Sequence, residues 1–218
     1  MRAIRPALVR YVRGLLIGLI VLLAGCGESL SLDPLPPGST VLAFGDSVTH
    51  GTGAGRGEDY PSLLAQRSGW QVVNAGIPGD TALAATARIE ALLQQHNPAL
   101  VIVELGGNDF LRRRAAADVK EDLRSILRAV KQANAVPVLV AVPEFSVLAA
   151  RFGALSDAPI YEALAEEEGV FLIPDIFAQV LSRESLRADP IHPNAEGYRQ
   201  MTEGMLAALR AAGVLSSR

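Results

Sequence analysis

Cysteine occurs once, at Cys26, so the chain offers no internal disulfide and no thiolate cluster for a metal. Histidine is nearly as scarce. His50, His96 and His192 are dispersed without ligand spacing, which argues against a metal site. Aromatic residues make up 5% of the chain, with Trp70 the one tryptophan, a poor supply for a platform that stacks on sugar rings. The apolar run from Leu15 to Ala24 is too short to cross about 30 Å of hydrocarbon as a permanent helix. A dinucleotide fingerprint is also missing: Gly51-Thr52-Gly53-Ala54-Gly55 lacks the order Gly-x-Gly-x-x-Gly and reads as a flexible rim loop.

What is present begins with a leader. Arg2, Arg5, Arg10 and Arg13 precede the apolar run, and small residues close it, the order of a secretory signal. Leu23-Ala24-Gly25-Cys26 resembles a bacterial lipobox, which implies cleavage after residue 25 and lipidation of Cys26; an uncleaved anchor or a plain signal is the alternative. The leader holds four of the 20 basic side chains and none of the 23 acidic ones, so the remainder carries about seven net negative charges. That balance argues against nucleic acid as a partner and against anionic lipid held by charge, leaving the lipid anchor as the expected membrane attachment. Gly27 is not the aspartate that retains lipoproteins in an inner membrane. The expected location is the cell envelope, on the periplasmic face of the outer membrane in a Gram-negative cell.

Residues 26–39, rich in proline and glycine, read as a lipidated cysteine and flexible tether, and residues 214–218 as a tail. Between them, residues 40–213 suit one domain. Short apolar runs at Val41–Phe44, Gln71–Asn74, Ala99–Leu105, Pro137–Val142 and Val170–Ile173 have the composition of strands buried on both faces. Helical patterns alternate with them at Tyr60–Ser68, Thr81–Gln95, Asp118–Ala133, Pro159–Glu168 and Asn194–Ala212. In the third, Val119, Leu123, Ile126, Leu127 and Val130 share a face, and Asp118 and Glu121 have the spacing of a capping box. Such alternation predicts an α/β sandwich with a parallel sheet.

Ligands of such a sheet sit beyond the carboxyl ends of its strands. Four polar, glycine-bearing segments fall there: Gly45-Asp46-Ser47, Asn74 through Thr81, Gly106-Gly107-Asn108-Asp109 and Asp189-Pro190-Ile191-His192-Pro193-Asn194. Each alone has a structural reading: a strand-to-helix turn, a helix start capped by Asp80, a tight turn, a loop whose Asn194 caps the last helix. Their joint occurrence in this order is what those readings leave unexplained.

In that order the segments resemble the signature blocks of the SGNH/GDSL hydrolase superfamily. Phe44-Gly45-Asp46-Ser47 is similar to the serine block, and Asn74–Thr81 to the glycine block of the bacterial thioesterase/arylesterase/lysophospholipase branch. Val103-Glu104-Leu105-Gly106-Gly107-Asn108-Asp109 is similar to the asparagine block, and Asp189-x-x-His192 to the last. The resemblance implies a three-layer α/β/α sandwich with a five-stranded parallel sheet, flavodoxin-like in kind. It also implies an acyl-ester hydrolase without cofactor or metal. Ser47 is then the nucleophile, His192 its base and Asp189 the carboxylate that orients the imidazole. The backbone amides of Ser47 and Gly79 and the side-chain amide of Asn108 are the implied oxyanion donors, each worth roughly 3–4 kcal/mol in analogous hydrolases.

Rivals for the base are weaker. His50 sits three residues past Ser47 with no acid partner beyond Asp46, and His96 reads as a solvated helix-end cation. Candidates for the substrate pocket are Asp46, Phe110, Phe145 and Ile191, with Phe110 equally suited to the core. Gly76 stands where the thioesterase branch has serine, so a polar contact is expected to be missing there. Arg112, Arg113 and Arg114 read as a solvated loop or as partners of an anionic leaving group. Expected substrates are short-chain or aryl esters, thioesters or lysophospholipids. A carbohydrate O-deacetylase or a non-catalytic binding lipoprotein on the same fold are the alternatives.

Overall fold

The computed structural model describes residues 31–144 and 155–216. The leader, Cys26 and Phe145 lie outside them. Five strands, β1 (Thr40–Gly45), β2 (Gln71–Gly76), β3 (Leu100–Glu104), β4 (Val136–Val140) and β5 (Phe171–Ile173), form one sheet in the order β2-β1-β3-β4-β5. Every pairing is parallel. The central strands β1, β3 and β4 are almost wholly buried, as their unbroken apolar runs require. The edge strand β2 departs from expectation, because it is half-exposed along its length: it has a neighbour on one side only.

Helices cover both faces. On one, α2 (Tyr60–Ser68), α8 (Ile176–Leu181) and α9 (Ala195–Ala211) pack together; on the other, α3 (Ala82–Thr86), α4 (Ile89–His96), α6 (Ala116–Gln132) and α7 (Ile160–Glu168) do. Two short helices, α1 (Ser47–His50) and α5 (Gly107–Leu111), follow β1 and β3 directly. This strand order reverses between β1 and β3, and a crevice opens at such a switch point. Ser47 and Asn108 stand on its two sides.

Two helical expectations are corrected. The pattern from Thr81 to Gln95 is not one helix: it breaks at Ala87 and Arg88, because the Arg88 guanidinium is drawn inward to the ends of β1 and β2. The capping box at Asp118 does not form. Helix α6 starts at Ala116, two residues earlier, placing Asp118 inside the first turn, while Glu121 pairs with Arg124. The predicted apolar face of α6 is buried residue for residue.

The domain is also larger than residues 40–213. Leu32 N donates to Ala212 O and Leu35 N to Val214 O, both at 2.8 Å, and Trp70 Nε1 donates to Leu35 O at 3.3 Å. Leu32 and Leu35 pack on the core, and Val214 and Leu215 are buried in it. Apolar side chains spaced through a proline-rich stretch thus tie down a segment whose composition suggests a free tether.

Candidate active site

Ser47 opens α1 immediately after β1. Asp46 caps that helix, its Oδ1 accepting from Val48 N at 3.0 Å, which turns the chain sharply at the strand end. As the first residue of a helix, Ser47 has a backbone amide with no intrahelical acceptor. His192 lies in a loop closed by Ala188 N donating to His192 O at 2.9 Å, and the loop leads into α9 through the Asn194 cap. That loop is further held by Asn194 Nδ2, which donates to Ser185 O at 2.9 Å.

The fold brings Ser47 and His192 together across 145 residues, with Ser47 Oγ 2.9 Å from His192 Nε2. On the other side of the ring, Nδ1 lies 2.7 Å from Asp189 Oδ2. Asp189 Oδ1 accepts from the backbone amides of Ile191 at 2.8 Å and His192 at 2.9 Å, so one carboxylate aims the ring and folds its own loop. Burial acts to raise the pKa of Asp189, but bonds from the His192 ring and from these amides outweigh it and hold the group below its ordinary value. With Nδ1–H directed at a carboxylate, Nε2 is the nitrogen left to accept a proton from the serine.

Asn108 occupies α5, across the crevice. Its Nδ2 donates to Asp46 Oδ2 at 2.9 Å, leaving its second N–H for a ligand. Gly79 follows β2 in a tight turn closed by Asp80 N donating to Ile77 O, with φ of +81°, a conformation that suits glycine. Its amide donates to no group among the described residues, and its carbonyl accepts from Arg112 Nη2 at 3.0 Å. The segments carrying Ser47, Gly79 and Asn108 are thus cross-tied.

Arg88 is the tie that reading the sequence missed. Its guanidinium donates to Asp80 Oδ2 at 2.8 Å, Ala75 O at 2.8 Å and Gly45 O at 2.9 Å, and stacks 4.1 Å over the Phe44 ring. One side chain therefore joins the end of β1, the end of β2 and the turn bearing Gly79. The available signal was a charged residue inside an otherwise apolar helical stripe.

Beneath α1, Thr49 Oγ1 donates to Glu104 Oε2 at 2.9 Å and lies 2.9 Å from Tyr60 Oη. Burial, then the charge of Asp46, pushes the Glu104 carboxyl well above the usual range. Burial likewise raises Asp46 to about 6, against bonds from Val48 N and Asn108 and the charge of His192, which lower it.

The pocket at Ser47 is lined by Asp46, Val48, Gly107, Asn108, Leu111, Phe177 and Ile191. Asp46 and Ile191 are therefore in it, but Phe110 is not among its lining. Phe110 instead packs edge-on to Tyr161 against the core, and its neighbour Leu111, 46% exposed, faces the pocket. Phe177, on the inward side of α8, is the wall that pattern-reading did not single out. Gly76 has a steric reason: a Cβ there would lie 2.2 Å from His50 N, so the backbone of α1 excludes serine. The loop after α1 is pinned rather than free, with Thr52 N donating to Ser47 O at 3.0 Å and Tyr198 Oη to Thr52 O at 2.9 Å. His50 is exposed at the end of α1, and His96 ends α4; among the described residues neither hydrogen-bonds to Ser47. The three arginines separate: Arg114 bridges Asp109 and Asp122, Arg112 grips Gly79, and Arg113 is exposed. Among the described residues, no group of three or more His, Cys, Asp or Glu side chains is placed to share a metal ion.

Residues 43–200 match the GDSL-like lipase/acylhydrolase family, a span that holds all four segments. The chain belongs to that family. Thioesterase 1/protease 1/lysophospholipase L1 of Escherichia coli K12 is 38% identical over 176 residues, which cover 78% of this chain and 83% of that protein. Esterase TesA of Pseudomonas aeruginosa is 31% identical, covering 87% of this chain and 97% of the relative. A crystal structure of TesA superposes with a TM-score of 0.71 at 31% identity, over 79% of this chain and 99% of that one. This GDSL protein is accordingly a hydrolase of the esterase/thioesterase type on the α/β fold of SGNH hydrolases.

Proposed function

We propose that this GDSL hydrolase cleaves acyl esters through an acyl-enzyme on Ser47. What carries the reading is the 2.9 Å separation of Ser47 Oγ and His192 Nε2, with Asp189 on the far nitrogen. Ser47 Oγ attacks the acyl carbon as its proton passes to His192 Nε2. Charge gathers on the former carbonyl oxygen, which takes hydrogen bonds from the amides of Ser47 and Gly79 and from Asn108 Nδ2. The bond to the leaving oxygen or sulfur then breaks, and His192 returns the proton to it. A water molecule, deprotonated by the same imidazole, attacks the acyl-serine, and its collapse releases the acid and restores Ser47. Asp189 stabilises the imidazolium at both stages. The apolar walls Val48, Leu111, Phe177 and Ile191 favour an acyl chain over a sugar.

The protein should hydrolyse p-nitrophenyl butyrate without added metal, and Ser47→Ala should lower the rate by several orders of magnitude. Full activity in Ser47→Ala refutes the mechanism. A panel of acetyl, butyryl and octanoyl esters, a palmitoyl thioester, lysophosphatidylcholine and acetylated xylan sorts the substrate. The leader supports a further reading, export and lipidation at Cys26. Mass spectrometry of the mature N-terminus tests it, an unmodified Cys26 counting against it.

A further inference from the structure

The point at which the chain enters the domain and the mouth of the site lie at opposite ends of α9. Asn194, two residues after His192, caps its start, and Ala212, which caps its end, accepts from Leu32 N at 2.8 Å. Gly213 lies against Leu32 and Ser31, so Ser31 is at that far end too. With 17 residues, α9 holds the two ends about 25 Å apart at about 1.5 Å per residue. Strand β1 runs opposite to α9, entering near this end at Thr40 and delivering Ser47 at the other.

Only five peptide units separate Cys26 from Ser31. Fully extended they reach about 17 Å, at about 3.3–3.6 Å per residue. To press its mouth onto the bilayer that holds Cys26, the domain would have to invert, and the tether would have to run the length of α9. Seventeen ångströms does not cover twenty-five. The hydrogen bonds of Leu32 and Leu35, with Trp70 Nε1 on Leu35 O, keep the missing length from being drawn out of the domain.

We infer that the site faces away from the membrane carrying the anchor and acts on monomeric acyl esters arriving through water, not on acyl lipids embedded in the anchoring leaflet. This rests on the proposed lipidation of Cys26 and the proposed chemistry of Ser47. It makes the anchored protein a hydrolase of diffusible esters despite its attachment to lipid.

The test compares the exported, processed full chain with a variant carrying a 20-residue Gly/Ser insertion between Leu30 and Ser31, both in phosphatidylethanolamine/phosphatidylglycerol vesicles. One substrate is p-nitrophenyl butyrate in water; the other is an umbelliferyl ester fixed in the same bilayer by two ether-linked chains. The inserted segment averages about 25 Å end to end and extends well beyond that. Both proteins should cleave the soluble ester equally, and the extended one should cleave the embedded ester at least about tenfold faster. Equal rates on the embedded ester, at any level, overturn the inference. Failure to float with vesicles points instead to Cys26 being unmodified. In that case Cys26, the sole cysteine, is coupled to a maleimide lipid and the comparison is repeated. Persistent soluble activity in Ser47→Ala marks failure of the serine mechanism separately.

Discussion

Asp46 holds Asn108: the buried carboxylate next to the serine accepts from Asn108 Nδ2 at 2.9 Å and from Val48 N at 3.0 Å. One side chain thereby sets both the turn that presents Ser47 and the direction of the amide on the facing helix. An exposed substrate contact would not need both oxygens occupied by protein. The geometry therefore predicts a positioning role for Asp46. Asp46→Ala should lower kcat by about 100-fold on p-nitrophenyl butyrate with KM little changed, the pattern of a donor lost only in the transition state. A rise in KM at constant kcat would place Asp46 in substrate binding instead.

The same carboxylate makes stability depend on pH. Its value of about 6 in the folded protein exceeds the ordinary 3.8, so the folded state keeps a proton that the unfolded state releases between those pH values. Stability therefore falls as pH rises through that window and stays level above it. Two pKa units correspond to on the order of 3 kcal/mol. Urea unfolding of wild type and Asp46→Asn from pH 4 to 7 should show wild type losing about that much relative to the variant. A gap constant with pH would mean Asp46 does not titrate there.

Arg88→Ala should lower kcat by 10- to 100-fold, since displacing the Gly79 turn by a fraction of an ångström misplaces a donor. Arg88→Lys, which keeps the charge but not the fork, should recover only part of it. KM for p-nitrophenyl butyrate should change little in either. Wild-type kcat in the alanine variant would show that the turn holds without this clamp.

Arg114→Ala should leave activity on soluble esters intact yet destabilise the fold by about 3 kcal/mol, because it strips a partner from a buried carboxylate. Asp109 is fully buried, its Oδ1 2.5 Å from Arg114 Nη1 and its Oδ2 accepting from Ala82 N at 2.9 Å. Chemical denaturation reads the loss. An unchanged midpoint would mean that Asp109 is satisfied by Ala82 alone.

Asn108→Ala should reduce kcat by about 100- to 1,000-fold, the usual effect of deleting one oxyanion donor. Loss of the Asp46 partner should also be visible as lowered stability above pH 6, where Asp46 is ionised with one acceptor unmet. Retained kcat would remove Asn108 from the donor set.

Much of the fold was legible because its signals are local. Unbroken apolar runs marked the central strands, and a 3.6-residue stripe marked α6, whose five predicted residues are all buried. Where local signals failed, a distant contact had outweighed them. The helix expected from Thr81 to Gln95 breaks because Arg88 gains three acceptors on other elements. The Asp118 cap yields to a helix that begins at Ala116, and the supposed tether yields to the apolar contacts of Leu32 and Leu35.

The sequence by itself determined the strand-helix alternation, the four polar segments at strand ends and the residue types from which a nucleophile, a base and donors could be chosen. Only the tertiary structure decided that Ser47 and His192, 145 residues apart, lie 2.9 Å from each other, that Asp46 serves Asn108, and that the chain enters opposite the site. Hydrophobic period and turn chemistry are properties of neighbouring residues, whereas these distances arise from closing long loops around one core, which no local pattern encodes.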